Sequence, residues 1–335
     1  MLKTLATTAL LMKNFLITGA LGFIGSCLIS KLNKEGITDI IAVDDFSSSR
    51  KKQNLNNKKI LSNIQREEFL DWLELNESNV DFIFHLGART DTTEQSIEIF
   101  DILNLNYSKD LFTICTKYQI PVIYASSAST YGNGELGYVD YERLLSELQP
   151  LNPYAWSKHK FDMWVLEQEK KPYFWTGLKF FNVYGPNEYH KGKMASVIYH
   201  SFNQIKEQSK INLFQSHKEG IENGHQSRDF IYVWDVVDVL IWFYKTRLNS
   251  GIYNLGTGKA RTYLDLAKSV FKSMNIKEDI DFIPTPTSIR DSYQYFTQAN
   301  MDKLRSIGYT KSFTSLEDGI EDYITNYLIK GDSYV

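Results

Sequence analysis

A chain of 335 residues that is 43% hydrophobic and 14% aromatic can bury a substantial core and has no disordered composition. With 37 Lys and Arg against 40 Asp and Glu, its net charge of -3 argues against nucleic acid as the main partner. Two cysteines without metal or redox spacing, six scattered histidines and no apolar run near the ~20 residues of a membrane span argue against a metal centre and an integral membrane protein, and fit a reduced, cytoplasmic chain.

The opening MLKTLATTALLM has the look of a short signal peptide but runs straight into a core strand, so residues 1–13 are expected to be an N-terminal extension, with Met12 an alternative start. NFLITGA (14–20) reads as a buried strand and FIGSCLISKLNKEG (23–36) as a helix. Ile24, Leu28 and Leu32 recur every four residues there, and Gly36 suits its C-terminal cap. Between them, TGALGFIG sets Gly19, Gly22 and Gly25 where a dinucleotide fold needs a tight turn, close approach to a pyrophosphate and close helix–strand packing. The helix N-terminus then favours the phosphate charge.

DIIAVD (39–44) is the second expected strand, and Asp44 at its end is placed to meet an adenosine ribose. Asp44 and Asp45 accept hydrogen bonds from a free 2′-hydroxyl and repel a 2′-phosphate. The basic run Arg50, Lys51, Lys52 either neutralises that phosphate or is a solvated loop, so NAD and NADP both stay open.

Strands are next expected at DFIFHLGA (81–88) and PVIYASS (121–127), with a helix over 96–118 between them. Ser127 then lies at the carboxyl edge of the sheet, where ligands bind in such folds. In YAWSK, Tyr154 and Lys158 stand four apart on one face of a helix. A nearby cation favours phenolate, so Lys158 is expected to lower the Tyr154 pKa and hold a nicotinamide ribose while Tyr154 exchanges a proton. Ser127 would hydrogen-bond an oxygen alternating between alcohol and ketone. Alone, such a pair is usually a solvated helix face and such a serine a strand-end cap. The upstream glycine loop gives them weight.

WTGLKFF (175–181) continues the series, and strands alternating with helices imply an α/β fold, a Rossmann-type doubly wound parallel sheet. After Asn182 come a turn-rich stretch, a helix at 194–208 and a polar loop through 215–228. DFIYV (229–233), the helical DVVDVLIWFYK and GIYNLGTG (251–258) read as a return to the sheet, followed by a helix (262–274), a strand near 280–283 and a helix (315–330). The expected division is a dinucleotide-binding domain of 14–181 plus about 229–260. A smaller, sequence-interleaved α/β substrate domain takes about 182–228 plus 261–330, and the two share a cleft.

The glycine loop, the HLGA strand end, Asn104, Ser127, the Tyr154–Lys158 pair and RDFIYVWDV (228–236), in that order, resemble the extended short-chain dehydrogenase/reductase family, the nucleotide-sugar epimerases and dehydratases. The resemblance runs from residue 14 to about 330. It implies NADP, or NAD, held by Gly19, Gly22, Phe23, Ile24, Gly25, Asp44, Asp45, Lys51, Leu86, Gly87, Ala88, Asn104, Lys158 and Val183. FFNVYGPNEYHKGKMASVIYH (180–200), HLGARTDTTE (85–94), GIYNLGTGKA and SYQYFTQAN (292–300) are similar to the branch acting on ADP-heptoses, more than to the UDP-sugar 4-epimerases.

That likeness implies epimerisation at C6″ of an ADP-heptose-type nucleotide sugar, for lipopolysaccharide core or another surface glycan, with Lys191 as a second catalytic base beside Tyr154. It also implies substrate contacts from Ser127, Asn182, Lys193, His200, Phe214, Arg228 and Tyr293, and a homo-oligomer. Two bases suit the chemistry, because a 6″-ketone that takes hydride back on its opposite face needs a proton donor on each side. Lys191 would need a pKa lowered by burial or neighbouring cations. Without the likeness, Lys191 reads as a surface lysine, His200 as a core histidine and Tyr293 as packing. Arg228 stands better by itself, since a guanidinium grips diphosphate bidentately.

Four features depart from the branch. Leu86 and Arg89 replace a glutamate and a small residue, Lys193 stands where a serine is usual, Asp45 replaces an asparagine, and the loop from Phe214 to Arg228 is longer. A dehydratase would need an acidic pair after the active serine, and Ala128-Ser129-Thr130 offers none. The remaining alternatives are another epimerase or reductase of the family, or a non-catalytic NADP-sensing regulator. The regulator predicts loss of the serine, tyrosine or lysine, and all three are present.

Overall fold

The computed structural model describes residues 14–290, 293–331 and 334–335. The extension expected over 1–13 lies outside the described residues. Strands are numbered in chain order as β1 (Asn14–Thr18), β2 (Ile40–Asp44), β3 (Ser62–Gln65), β4 (Val80–His85), β5 (Val122–Ser127), β6 (Trp175–Phe180), β7 (Asn182–Tyr184), β8 (Ile211–Phe214), β9 (Ser227–Tyr232), β10 (Gly251–Leu255), β11 (Ala260–Thr262) and β12 (Ile280–Ile283).

Seven of them form one parallel sheet in the order β10-β6-β5-β4-β1-β2-β3. Helices cover both faces, so the central strands are buried on both sides and read as continuous apolar runs. Leu16, Ile17, Ile40, Phe82, Ile83, Val122 and Ile123 are buried at its centre. The chain leaves β1 toward β2 and β3, then crosses back to β4 on the other side of β1. That reversal opens a crevice at the carboxyl ends of β1 and β4, the place where such sheets take ligands.

The helix expected over 96–118 runs as Ile97–Phe100, a π-turn over Asp101–Asn106 and Tyr107–Tyr118, closed by Gln119 in the left-handed region at φ 55°. The helix Phe23–Lys34 starts after the glycine loop, and Lys31 and Lys34 in its last turn complement its dipole. The expected helix at 194–208 starts later, at Val197, where the Ser196 side chain accepts from the Tyr199 amide as N-cap. Residues 189–194 before it form a kinked turn instead.

One expectation about the sheet is corrected. DFIYV does not return to it: β9 pairs with β7 and β11 in a separate three-stranded sheet, and β10 alone of that region joins the large sheet, beside β6. Asp229, buried within β9, ties the strand to other parts of the chain. Its carboxylate accepts from the Thr257 amide at 2.7 Å, the Gly258 amide at 2.9 Å and the Ala299 amide at 3.0 Å, which fixes β9 across the loop after β10. A two-stranded parallel sheet, β12-β8, completes the β structure. Among the described residues no helix is long and apolar enough to cross a membrane.

Candidate active site

The glycine loop sits at the reversal of the sheet. Gly19 has φ 69°, and a Cβ there would stand 2.7 Å from the Gly87 Cα, so the loops after β1 and β4 cross with no room for a side chain. Gly22 is the N-cap of Phe23–Lys34 and offers its first turn no side-chain acceptor. The Thr18 hydroxyl accepts from the Gly87 amide at 3.0 Å and pairs with His85 Nδ1 at 2.7 Å, while His85 Nε2 meets Ser108 Oγ at 2.9 Å. Burial, with the Lys158 charge behind it, pushes His85 down to about 3, so this histidine is a neutral brace under the loops.

A groove of about 540 Å³ runs from there along Gly19, Gly22, Gly25, Leu86, Gly87 and Ala88. At its far end Asp44 accepts from the Leu21 amide at 2.9 Å and the Asp45 amide at 2.8 Å. Asp45 turns to its own loop, accepting from the Ser47 hydroxyl at 2.6 Å and amide at 3.0 Å, and these bonds hold its carboxyl below the usual range. Lys51 lines the groove 3.7 Å from Asp44, and Arg66 lines it too. Asn104 is buried behind the groove rather than in its wall. It donates to the Arg89 carbonyl at 3.0 Å and to Ser157 Oγ at 3.0 Å and accepts from the Arg89 amide at 2.8 Å, so it ties the 86–89 loop to the next helix. A cradle that a Cβ would fill, an uncapped helix start and a carboxylate at the ribose end fit a nicotinamide dinucleotide.

That next helix, Pro153–Glu167, starts with the Asn152 side chain accepting from the Ala155 amide at 2.9 Å and Pro153 in its first turn. It brings Tyr154 and Lys158 to a cavity of about 350 Å³ that also takes in Ser127, Asn182, Val183 and Lys191. Phe23, Ile24, Leu86, Ala88 and Lys191 line both cavity and groove, so the two are continuous. Ser127 Oγ lies 2.8 Å from Ser129 Oγ and accepts from the Ser129 amide at 3.2 Å.

The expected electrostatics of the pair are corrected. Lys158 is buried with its ammonium donating to the Ala125 carbonyl at 2.9 Å, and burial pulls it down to about 8 against the Asp162 charge. The net shift of Tyr154 is opposite to the one expected. Burial raises that phenol above its ordinary value, with a hydrogen bond from Ser127 working the other way and the Asp162 charge adding to the rise.

Lys191 reaches the cavity from a separate element, the turn Tyr189–Met194, with its ammonium 5.6 Å from the Phe23 ring centre. Burial holds it below the ordinary lysine range, opposed by Glu188. Glu188 is buried and accepts from Ser196 Oγ at 2.7 Å, the Ser196 amide at 2.5 Å and the Gly185 amide at 3.3 Å, which closes the base of the turn. His190 lines the groove beside Asn54, 3.2 Å from its side-chain nitrogen, and is pushed down to about 4 by burial and by Lys51 and Lys191.

The other expected contacts lie outside the cavity wall. Lys193 is exposed, His200 is half-buried beside the Tyr199 ring, and Phe214 ends β8 with its carbonyl accepting from the Gln226 side chain at 3.1 Å. Arg228 is buried, with its guanidinium 5.7 Å from the Tyr263 ring centre and 5.5 Å from that of Tyr293, and it donates to the Ser227 carbonyl at 2.9 Å and the Gln294 carbonyl. Tyr263 itself lines the cavity, so Arg228 stands behind its far end. Arg66, His190, Met194 and Tyr263 are wall residues that sequence reasoning missed. A cation at a strand's carboxyl end signals Arg66 once β3 is known; the others carried no signal. Among the described residues no group of three His, Cys, Asp or Glu could hold a metal ion.

The NAD dependent epimerase/dehydratase family model matches residues 15–256. The ADP-L-glycero-D-manno-heptose-6-epimerase of Fusobacterium nucleatum is 44% identical over 330 residues, 96% of this chain and 99% of that protein. The protein of the same name from Nitratidesulfovibrio vulgaris is 42% identical over 323 residues, 96% of this chain and 100% of its own length. Among solved structures, the Helicobacter pylori ADP-L-glycero-D-manno-heptose-6-epimerase matches with a TM-score of 0.78 at 28% identity, over 94% of this chain and 96% of that one. A UDP-N-acetylglucosamine 4-epimerase from Methanobrevibacter ruminantium also gives 0.78, at 25% identity over 95% and 98%.

Proposed function

The chain belongs to the NAD dependent epimerase/dehydratase family, and from that membership we propose that it inverts C6″ of ADP-D-glycero-D-manno-heptose, giving ADP-L-glycero-D-manno-heptose through a transient 6″-ketone. The observation that carries this reading is Tyr154 and Lys191 entering one cavity from different elements, next to the glycine-loop groove. The relatives' shared name supports the substrate.

A nicotinamide dinucleotide supplies the hydride acceptor and donor, so the reaction has no net redox change. Lys191, whose burial favours the neutral amine, takes the proton of the 6″-hydroxyl. Lys158 would hold the ribose hydroxyls of the dinucleotide when it is bound. Once the sugar has turned over in the cavity, Tyr154, kept protonated by burial, gives a proton to the ketone oxygen, and Ser127 hydrogen-bonds that oxygen. Asn182 contacts the sugar, and Arg228 grips the diphosphate beyond Tyr263. His200, Phe214 and Tyr293 line the path toward the nucleotide.

NADP is the proposed cofactor, because Lys51 and Arg66 place two cations at the ribose end of the groove. NAD is the second reading, favoured by the Asp44 carboxylate there. Titrating both dinucleotides by fluorescence decides, and equal affinity before and after Lys51→Ala would remove the NADP assignment. A cytoplasmic homo-oligomer serving heptose-containing surface glycans completes the proposal. Exposed Ile97, Ile102 and Trp156, on helices that pack together, support the oligomer.

The test is direct. Purified protein is incubated with ADP-D-glycero-D-manno-heptose and the C6″ configuration followed by NMR. Inversion is expected, and none by the unmodified protein would sink the substrate assignment in favour of another nucleotide sugar.

A further inference from the structure

One carboxylate sits beneath Ser127, Tyr154 and Lys158 on the same helix face as the last two. Asp162 follows Tyr154 by eight residues and Lys158 by four, two turns and one turn along Pro153–Glu167. It is wholly buried, and so is Lys179 of β6, its partner at 2.6 Å. Two further donors come from β5: the Ser126 hydroxyl reaches the same carboxylate oxygen as Lys179 at 2.7 Å, and the Tyr124 hydroxyl reaches the other at 3.1 Å. These two residues share one face of the strand, so the carboxylate measures the position of the helix along β5 at two points. Lys179 also donates to Thr130 Oγ1 at 2.7 Å, and that hydroxyl donates to the Ser127 carbonyl at 2.8 Å.

Stability does not account for this pair. Taking two charges out of water is costly, and apolar side chains of similar volume often hold a fold as well or better. What an ion pair adds over an apolar contact is direction. Leucine and methionine would pack here in more than one register, whereas these bonds allow one.

We propose that Asp162 and Lys179 are positioning residues for the hydride chemistry, fixing the helix against β5 so that the Tyr154 and Ser127 hydroxyls meet one substrate oxygen. The inference rests on the reading of Tyr154 and Ser127 as the groups that share that oxygen. A slip of the helix along the strand would part them while leaving the dinucleotide groove, which is built mainly on β1, β2 and β4, as it was.

The test uses Asp162→Leu/Lys179→Met, which leaves no charge unpaired, and Ser126→Ala, which keeps the ion pair and removes one bond. Thermal melting, dinucleotide affinity by fluorescence, KM and kcat are measured for each. The double variant should fold and bind dinucleotide within about threefold of the unmodified protein, with kcat reduced about 100-fold, the scale of a 1 Å misplacement. Ser126→Ala should lose about fivefold in kcat, the worth of one neutral hydrogen bond. Full kcat in a folded double variant overturns the proposal. If that variant does not fold, unchanged kcat in Ser126→Ala overturns it. A crystal structure of the folded variant separates this from the substrate question: Tyr154 in its original place against Ser127 refutes the positioning role even if no substrate is turned over, whereas inactivity of the unmodified protein strikes only the substrate.

Discussion

Two parts of the candidate cavity are built differently. On one, Ser127, Tyr154 and Lys158 project from the end of a buried strand and the first turns of a helix, and each element is tied by buried bonds to the next. On the other, Lys191 rides a short turn kinked at Gly192, where φ is 55° and ψ -126°. That turn is held at its base by Glu188 and flanked by the Tyr189 ring, which packs on Tyr199 at 5.6 Å and Tyr323 at 6.5 Å. A reaction that works on both faces of one ketone asks for one fixed reference and one group that follows the sugar as it turns. Regular elements supply the first and a turn the second.

The sharpest test of that contrast is a matched pair of variants. Tyr154→Phe should lower kcat for C6″ inversion by about 10³-fold, and Lys191→Ala by about 10²-fold, because water can reach the looser wall and replace part of its proton transfer. Equal losses would break the comparison, and full activity in Lys191→Ala would remove the second base altogether.

Glycine replacements probe the backbone on each side. Gly19→Ala should cost about 3 kcal/mol in urea unfolding and weaken dinucleotide binding, since both its positive φ and the 2.7 Å contact with Gly87 oppose a methyl group. Histidine titration comes next. His85 and His190 are held down to about 3 and about 4, whereas an unfolded histidine takes its proton near 6.5. Between those values the unfolded chain binds more protons, so stability rises with pH across this window and is lost on acidification below about 6.5. Unfolding free energy should fall by roughly 2.5 kcal/mol from His85 between pH 7 and pH 4.5 and by a similar amount from His190, so His190→Asn should remove about half of that acid slope. The smallest effect belongs to Gly192→Ala, about 1 kcal/mol from backbone strain, because a Cβ there meets nothing within 4 Å. Its kcat should drop by more than its stability suggests, and an unchanged kcat would mean that the turn does not set Lys191.

The same contrast decided what could be read from the sequence. β1, β2, β4 and β5 are buried runs with glycine or serine at their ends, so the groove, Asp44, Ser127 and the Tyr154–Lys158 pair were legible. β3 was not, because Ser62 and Asn63 are exposed at the sheet edge and Ile64 is its one buried side chain, and Arg66 was lost with it. β7 and β11 are three residues long, too short for any alternation to show. β9 was recognised as a strand but put in the wrong sheet, since the contacts that place it come from Thr257, Gly258 and Ala299, far along the chain. The reversed sign of the Tyr154 pKa shift had the same origin: spacing sets the two side chains on one face, but burial depth and the Ala125 carbonyl that takes the Lys158 hydrogen bond are tertiary facts.

The outermost place of β10 beside β6 bears on how the chain leaves the ribosome. Six strands of the large sheet are complete by Phe180, yet their neighbour β10 starts only at Gly251. At typical synthesis rates the β6 edge waits roughly 4–14 s with its ladder unpaired. An open edge of that kind invites pairing with other nascent chains. Lys179, fourth of the five β6 residues in that register, puts an inward-pointing charge on the edge, and such charges disfavour edge-to-edge pairing. The residue proposed to position the helix is thus also the one charge on the β6 side of that register.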